Sequence, residues 1–407
     1  MVNLNSLQIL KKDYFLILLF CILPITLFVG TGLSNLVVIL IDFFLINELL
    51  KNKNFEFFKN NFFYILIFLW LFLLLNSIFI AQTTDSFIRS FGVLRFILFA
   101  FSIKYFFYNK PTSFKKTILN FWFFLFLITT IDLLYEFFTG ADLLGFKSNY
   151  NGRLAGFTGD ELRIGAYYIG FILITLSHPF FDNKKVRILF FSLIFLITAL
   201  VIGERSNFIK LFFILSIFLI IINRKQSFKR FFLFFTILTL VITVTSLNNL
   251  MLKTRFFDDF FIPIKDHGIS HYIKNTRHGR HYDIAIRIFK QNPIFGIGIK
   301  NFRHEGALKK YNVYKKKDGH STHPHQIHFE LLSETGLVGY LIFLFFFSYS
   351  ILYGFNSYLK KNNTLALCGT LFLIATIIPI LPMGSFFSSY GASIFWINFG
   401  LLISDQN

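Results

Sequence analysis

Apolar runs of about 17–22 residues recur along the chain, each long enough to cross a hydrocarbon core of roughly 30 Å. They predict twelve transmembrane helices, at about 14–30, 33–50, 62–81, 88–108, 117–138, 162–180, 186–202, 207–223, 231–247, 337–358, 364–381 and 386–403. The polar connections alternate in charge. With the N-terminus on the cytoplasmic side, the inner connections carry Lys11 and Lys12, then Lys51, Lys53 and Lys59, then Lys104, Lys110, Lys115 and Lys116. Further along they carry Lys184, Lys185 and Arg187, then Arg224, Lys225, Lys229 and Arg230, then Lys360 and Lys361. The short outer connections near residues 31, 82 and 383 carry almost none. Cytoplasmic loops are the ones enriched in Lys and Arg. A miscounted span would break the alternation, so both termini are expected inside. No small-residue cleavage site follows the first apolar run, which therefore reads as a membrane helix and not a signal peptide.

One connection is long. Residues 248–335 lie on the outer face, with fifteen Lys/Arg against eight Asp/Glu and nine of the ten histidines between His267 and His328. A shorter outer connection covers 139–161. The chain thus divides into 1–247, carrying nine helices, 248–335, the large outer loop, and 336–407, carrying the last three. The fold class expected is an all-α integral membrane protein whose loop is itself partly helical.

Composition supports this reading. The chain has 407 residues, 55% hydrophobic and only 15% charged, where a soluble domain carries about 25% charged residues. The formal charge of +19 would suggest nucleic acid in a soluble protein. Here it reflects loop charges set against anionic lipid, so membrane lipids are the expected partner and nucleic acid is not. The 62 phenylalanines are read as compositional bias, alongside abundant Lys, Asn and Ile. Cys21 and Cys368 sit inside apolar runs and make neither a disulfide framework nor a CxxC metal site.

Four segments could carry chemistry. The first runs from His320 through His323, Pro324, His325 and Gln326 to Gly336 and Gly339. Pro324 suits the first turn of a helix, with Thr322 or His323 as cap. Ile327 and Leu331 share a face, and Gly336 suits the helix end. This places His325 in the first turn, where the positive end of the helix dipole disfavours imidazolium. A neutral imidazole is what a general base needs; the bland alternative is a histidine that merely caps a helix. His320, His323, His325 and His328 also form a dense group. Pro324 breaks its spacing, and neither HExxH nor a Cys partner is present, so no metal and no cofactor are expected.

The second segment is Gly203-Glu-Arg205-Ser-Asn207, an outer turn where an arginine is disfavoured and usually has a partner. That partner is Glu204 or a lipid phosphate on one reading, and a bound diphosphate on another. The third runs from Gly279 and Arg280 to Asn292, Pro293, Gly296 and Gly298. Ile284, Ala285, Ile288 and Phe289 form one apolar helix face, Asn292-Pro293 stops the helix, and Arg280 at its start is free to point into a cavity. Gly296-Ile-Gly298 reads as a turn, because the third glycine and strand–helix context of a nucleotide site are missing. The fourth is Gly152 to Arg163, in which Arg153 and Arg163 either line the same outer cavity or belong to an ordinary polar turn.

Together these segments resemble a known family. His325, Gln326, Gly336 and Gly339 fill the pattern His-[Asn/Ser/Gln]-x9-Gly-x-x-Gly that marks bacterial O-antigen ligases. The Arg280…Asn-Pro-Ile-Phe-Gly-Ile-Gly stretch and Gly-Glu-Arg205-Ser resemble further motifs of the superfamily, which includes O-antigen polymerases. The resemblance implies a metal-independent, inverting C-type glycosyltransferase of lipopolysaccharide biosynthesis in the bacterial inner membrane, with a periplasmic site. It implies an undecaprenyl-diphosphate-linked glycan as donor and a lipid A-core hydroxyl as acceptor. His325 would be the catalytic base, and Arg205 and Arg280 would bind the diphosphate. Arg153, Arg163, Gln326 and His323 would be further substrate contacts. A lipid-linked glycan polymerase is the nearest alternative. A secondary transporter is the alternative from another class, and it lacks the inverted repeat and broken mid-membrane helices expected of one.

Overall fold

A computed structural model describes residues 13–150, 152–182, 184–222, 236, 253–314 and 321–404. Among these residues the regular structure is all helical, with no strand. The first half gives α1 (Tyr14–Val29), α2 (Thr31–Asn52), α3 (Asn61–Asn76, continued by a π turn Ser77–Ala81), α4 (Thr84–Asn109) and α5 (Thr112–Thr139). Then come α6 (Ile164–Leu176), α7 (Lys185–Val201), α8 (Arg205–Ile222), α9 (Ile262–Asn275) and α10 (Arg277–Gln291). The last three are α11 (Ile327–Lys361), α12 (Thr364–Ile377) and α13 (Ser389–Ile403). Eleven of the twelve expected spans coincide with a helix. The ninth, 231–247, and His320 lie outside the described residues.

Six of the helices are long and apolar enough to cross a membrane, namely α2, α3 with its π turn, α4, α5, α8 and α11. Shorter apolar helices α1, α6, α12 and α13 pack among them. Their outward faces confirm which solvent they meet. Phe138 is 80% exposed and Phe79 68%, a display of large apolar side chains that water would penalise and lipid does not. The protein is therefore a multi-pass membrane protein.

Side-chain oxygens start several helices where the first backbone N–H groups lack partners. Asn60 accepts from Phe63 N, Thr83 from Ser86 N, Asn363 from Ala366 N and Ser388 from Gly391 N. The tightest packing joins α4, α11, α12 and α13, where Phe99, Phe346, Leu371, Phe395 and Phe399 are buried.

One end of this bundle is built differently. The C-terminal ends of α3 and α12 and the N-terminal ends of α4, α8, α11 and α13 meet there. A small apolar core of Ile284, Ala285, Ile288, Ile297, Phe302 and Tyr311 seats α10 beside them. Asn76 Nδ2 donates to Phe295 O (2.7 Å), and a hydrogen bond of 2.8 Å joins Thr83 Oγ1 to Asn301 Oδ1. These tie the stretch 293–301 to α3 and α4.

Candidate active site

The expected motif segment ends in a helix that begins later than the spacing suggested. α11 starts at Ile327, and its cap is Gln326, whose Oε1 accepts from His328 N (2.8 Å) and Phe329 N (3.2 Å). Gln326 Nε2 donates to Ile378 O (3.4 Å), and the residue is 1% exposed. Its amide is thus committed to the fold. His325 consequently stands just before the cap and not in the first turn. It adopts φ 63°, a left-handed conformation that costs a non-glycine residue about 1–3 kcal/mol and is held only by its surroundings.

Those surroundings are visible. Met383 N donates to His325 O at 2.8 Å. Met383 belongs to the extended 378–388 connection, which clasps the whole motif. Ile377 O lies 2.8 Å from His328 Nε2, and Ile380 O accepts from Tyr282 Oη at 2.9 Å. Ser385 Oγ and Phe386 N donate to the two Glu330 oxygens at 2.5 and 2.9 Å, and Lys300 Nζ reaches Ser385 Oγ at 3.3 Å. Nothing in the sequence marked this connection except its lack of charge.

Gly336 breaks α11, as the sequence suggested, with φ 65°. The reason is a backbone crossing. Ile297 N donates to Ser333 O (3.1 Å) and Gly298 N to Glu334 O (2.7 Å), while Leu337 N donates to Pro293 O (2.8 Å) and Val338 N to Ile294 O (3.1 Å). Gly296 and Gly336 touch backbone to backbone inside this crossing. A Cβ on Gly336 would run into Ile294, and one on Gly339 into Thr335 and Phe72. The stretch read as a simple turn is therefore the partner of the motif glycines: Gly296 (φ 66°) lies against the same backbone, whereas Gly298 (φ 87°) lies against Ala81 and Ser86.

Around His325 stand three other imidazoles. The ring of His323 lies 3.9 Å away, His278 4.9 Å and His281 5.2 Å, the last stacked at 24°. His278 and His281 share a face of α10 at i, i+3 spacing, just after the cap Thr276, which accepts from Gly279 N. The dense group seen in the sequence is thereby rearranged. His328 turns away, its ring nitrogens 3.1 Å from Tyr340 Oη and 2.8 Å from Ile377 O, and α10 supplies the replacements.

Ser321 Oγ stands 2.9 Å from His323 O and 3.1 Å from His325 Nε2. With its one proton on the carbonyl, the same oxygen accepts from Nε2–H, and that arrangement leaves the lone pair on Nδ1. Burial, the neighbouring imidazoles and Arg277 hold His325 far below the usual histidine range. Burial likewise lowers His323 to about 4, helped by Lys300. His278 is lowered to about 4 by burial and by the positive charges of Arg153, Arg277 and Arg205.

The charges of Arg153, Arg277 and Arg205 thus act on His278, and Arg277 is one the sequence did not single out. The Arg153 segment is pinned by Glu136, which accepts from Ala155 N and Gly156 N at 2.8 Å each. It is also joined to the turn before α8 by Leu154 N donating to Ile202 O at 3.2 Å. Arg205 opens α8, donates to Asp259 O (3.2 Å) and faces the Phe260 ring at 5.8 Å. Glu204 beside it accepts from Asn207. Arg280 instead lies over the Tyr314 ring at 5.8 Å. Arg163 packs over Tyr390 at 5.3 Å, and its carbonyl accepts from Tyr390 Oη at 3.1 Å.

The fold and this end of the bundle define a multi-pass membrane protein with a histidine–arginine site suited to proton transfer beside a bound anion. Residues 190–344 match the family model described as O-antigen ligase. The matched segment contains Arg205, α10 and the motif from His325 to Gly339, whereas Arg153 and Arg163 precede it. No curated protein matches the chain.

Proposed function

We propose that this protein is a glycosyltransferase that moves an O-antigen-type polysaccharide from undecaprenyl diphosphate to a sugar hydroxyl of lipid A-core, at the periplasmic face of the inner membrane. The observation that carries the reading is the His325 ring set among His323, His278 and His281, with the charges of Arg153, Arg277 and Arg205 acting on His278. The acceptor hydroxyl oxygen attacks the anomeric carbon from the face opposite the diphosphate. Its proton passes to Nδ1, and the bond between the anomeric carbon and the diphosphate oxygen breaks with the electron pair leaving on undecaprenyl diphosphate. Configuration inverts. A diphosphate leaves readily, so guanidiniums placed where its charge grows supply the electrostatic help that many transferases draw from a metal.

The depressed basicity of His325 has a function in this scheme. Without donor, imidazolium would stand among like charges and stays unformed. A bound diphosphate offsets those charges and raises the proton affinity of Nδ1. The base then becomes competent only when the donor is in place, which favours transfer to the sugar acceptor over wasteful events before donor arrival. His323, against the His325 ring, is placed to contact the acceptor. Arg280, over Tyr314, is assigned to the diphosphate and Arg163, over Tyr390, to a further substrate contact, and Gln326 to the cap of α11. Both chain ends are assigned to the cytoplasm, with twelve spans.

The test uses purified protein in detergent with a chelator, undecaprenyl-diphosphate-linked glycan and lipid A-core. A ladder of larger lipopolysaccharide that vanishes in His325→Ala supports the reading. Lengthening of the lipid-linked donor, with lipid A-core untouched, would replace it with a polymerase. Unchanged lipids would overturn it.

A further inference from the structure

His278, His281 and His325 present ring nitrogens that all lie within 4.8 Å of one another. We propose that these three residues form a site for a borderline divalent transition metal, Zn2+ first, and that its occupancy blocks the transferase. The blocking half rests on the function proposed above; the binding half does not.

Three observations point the same way. The donors are imidazoles alone, a set that suits Zn2+, Ni2+ or Cu2+ and offers nothing to Mg2+ or Ca2+. Zn–N bonds of about 2.0–2.1 Å at tetrahedral angles put ligand nitrogens about 3.3 Å apart. The present separation of up to 4.8 Å therefore closes by side-chain rotations of an ångström or so. The donors are also available. With Ser321 Oγ, 3.1 Å away, accepting from Nε2, His325 presents its Nδ1 lone pair. Nδ1 of His278 is buried with no hydrogen-bond partner. Metal-bound imidazole is usually steadied by a hydrogen bond on its other nitrogen, and Ser321 already supplies one for His325.

Three histidines leave a fourth tetrahedral position open. Arg153, Arg205 and Arg277 weaken the attraction for a dication, and they favour an anion, such as chloride, hydroxide or phosphate, in that position. Metal ligation uses the same Nδ1 lone pair that takes the acceptor proton, so a loaded site cannot act as base.

The experiment titrates the chelator-stripped full-length protein with Co2+ and reads the visible bands of tetrahedral Co2+, then displaces them with Zn2+. One equivalent is expected in the wild type. It should persist in a His267→Ala/His271→Ala double variant, which removes an exposed pair of rings 5.0 Å apart. Binding should weaken at least about tenfold in each of His278→Ala, His281→Ala and His325→Ala. If a variant of the three does not fold, the wild-type and His267→Ala/His271→Ala spectra together decide the matter, because a tetrahedral signal present in both and untouched by Mg2+ is expected. No tetrahedral signal, or one that follows His267 and His271, would overturn the site. In the transfer assay, one equivalent of Zn2+ should stop product formation and chelator should restore it. Binding without inhibition would overturn the block. Absence of transfer with or without chelator would overturn the transferase and the block together, while the spectrum still decided the site.

Discussion

The bundle core and the capped end are held by different physics. Between α11 and α13, side chains meet side chains: Phe347 lies 5.9 Å from Phe395, and Phe346 meets Phe399 at 5.2 Å. At the capped end, backbone meets backbone across the Gly296–Gly336 crossing. Side-chain packing yields to rotamer changes, so it tolerates volume-conserving substitution. A backbone crossing has no such freedom, and one added methyl must move a chain segment. The region that places the candidate base is therefore the less tolerant of the two.

The largest effect separates chemistry from folding. His325→Ala should lower transfer by about 10²–10⁴-fold, the usual contribution of a positioned base, with thermal unfolding in detergent unchanged. A matching loss of folded protein would reassign His325 to structure.

Next comes the crossing itself. Gly336→Ala should remove about 2–3 kcal/mol locally through the strained φ and the collision with Ile294. Transfer should fall while the bundle still melts as one unit. Leu371→Ala, fully buried in α12, should cost about 2–5 kcal/mol of bundle stability yet leave the folded fraction active. If both variants lost stability and activity in step, the two regions would be one cooperative unit.

Ser321→Ala should lower turnover by about 10–100-fold, the scale for removing a group that orients a functional imidazole, and Ser321→Thr should restore most of it. An unchanged rate in Ser321→Ala would show that the tautomer is set elsewhere.

Acid should loosen the capped end before the bundle. His278 and His323 stay neutral in the folded protein down to about 4, against 6.5 for the unconstrained side chain. The unfolded chain binds their protons first, so stability falls as pH drops from about 6.5 to about 4. Hydrogen exchange across α10 should rise over that range and stay flat across α12. The smallest effect is Phe79→Leu on the outward face, 68% exposed, which should change stability by no more than about 0.5 kcal/mol.

The membrane helices were legible because hydrophobic length is a one-dimensional property. A run of apolar residues long enough to cross lipid must become a helix, since only internal hydrogen bonds satisfy its backbone there. The helix break at Gly336 and the stop at Asn292-Pro293 were local too, written in single residues with restricted or unusual φ. The start of α11 was not. Pro324 and the dipole argument favoured a helix enclosing His325, and the chain instead spends Gln326 as the cap and strains His325 so that the 378–388 connection can grip it.

By itself, then, the sequence determined the solvent, the helices, the pairing of glycines with turns, and the candidacy of His325, Arg153 and Arg205, because each rests on composition, length or a local pattern. Only the tertiary structure decided which histidines stand together, that Arg277 acts on His278 while Arg280 faces Tyr314, and that Ser321 meets His325 Nε2. Those outcomes depend on contacts between segments tens to hundreds of residues apart. The interaction between such segments is set by where the whole chain packs and leaves no period or spacing in the sequence to read.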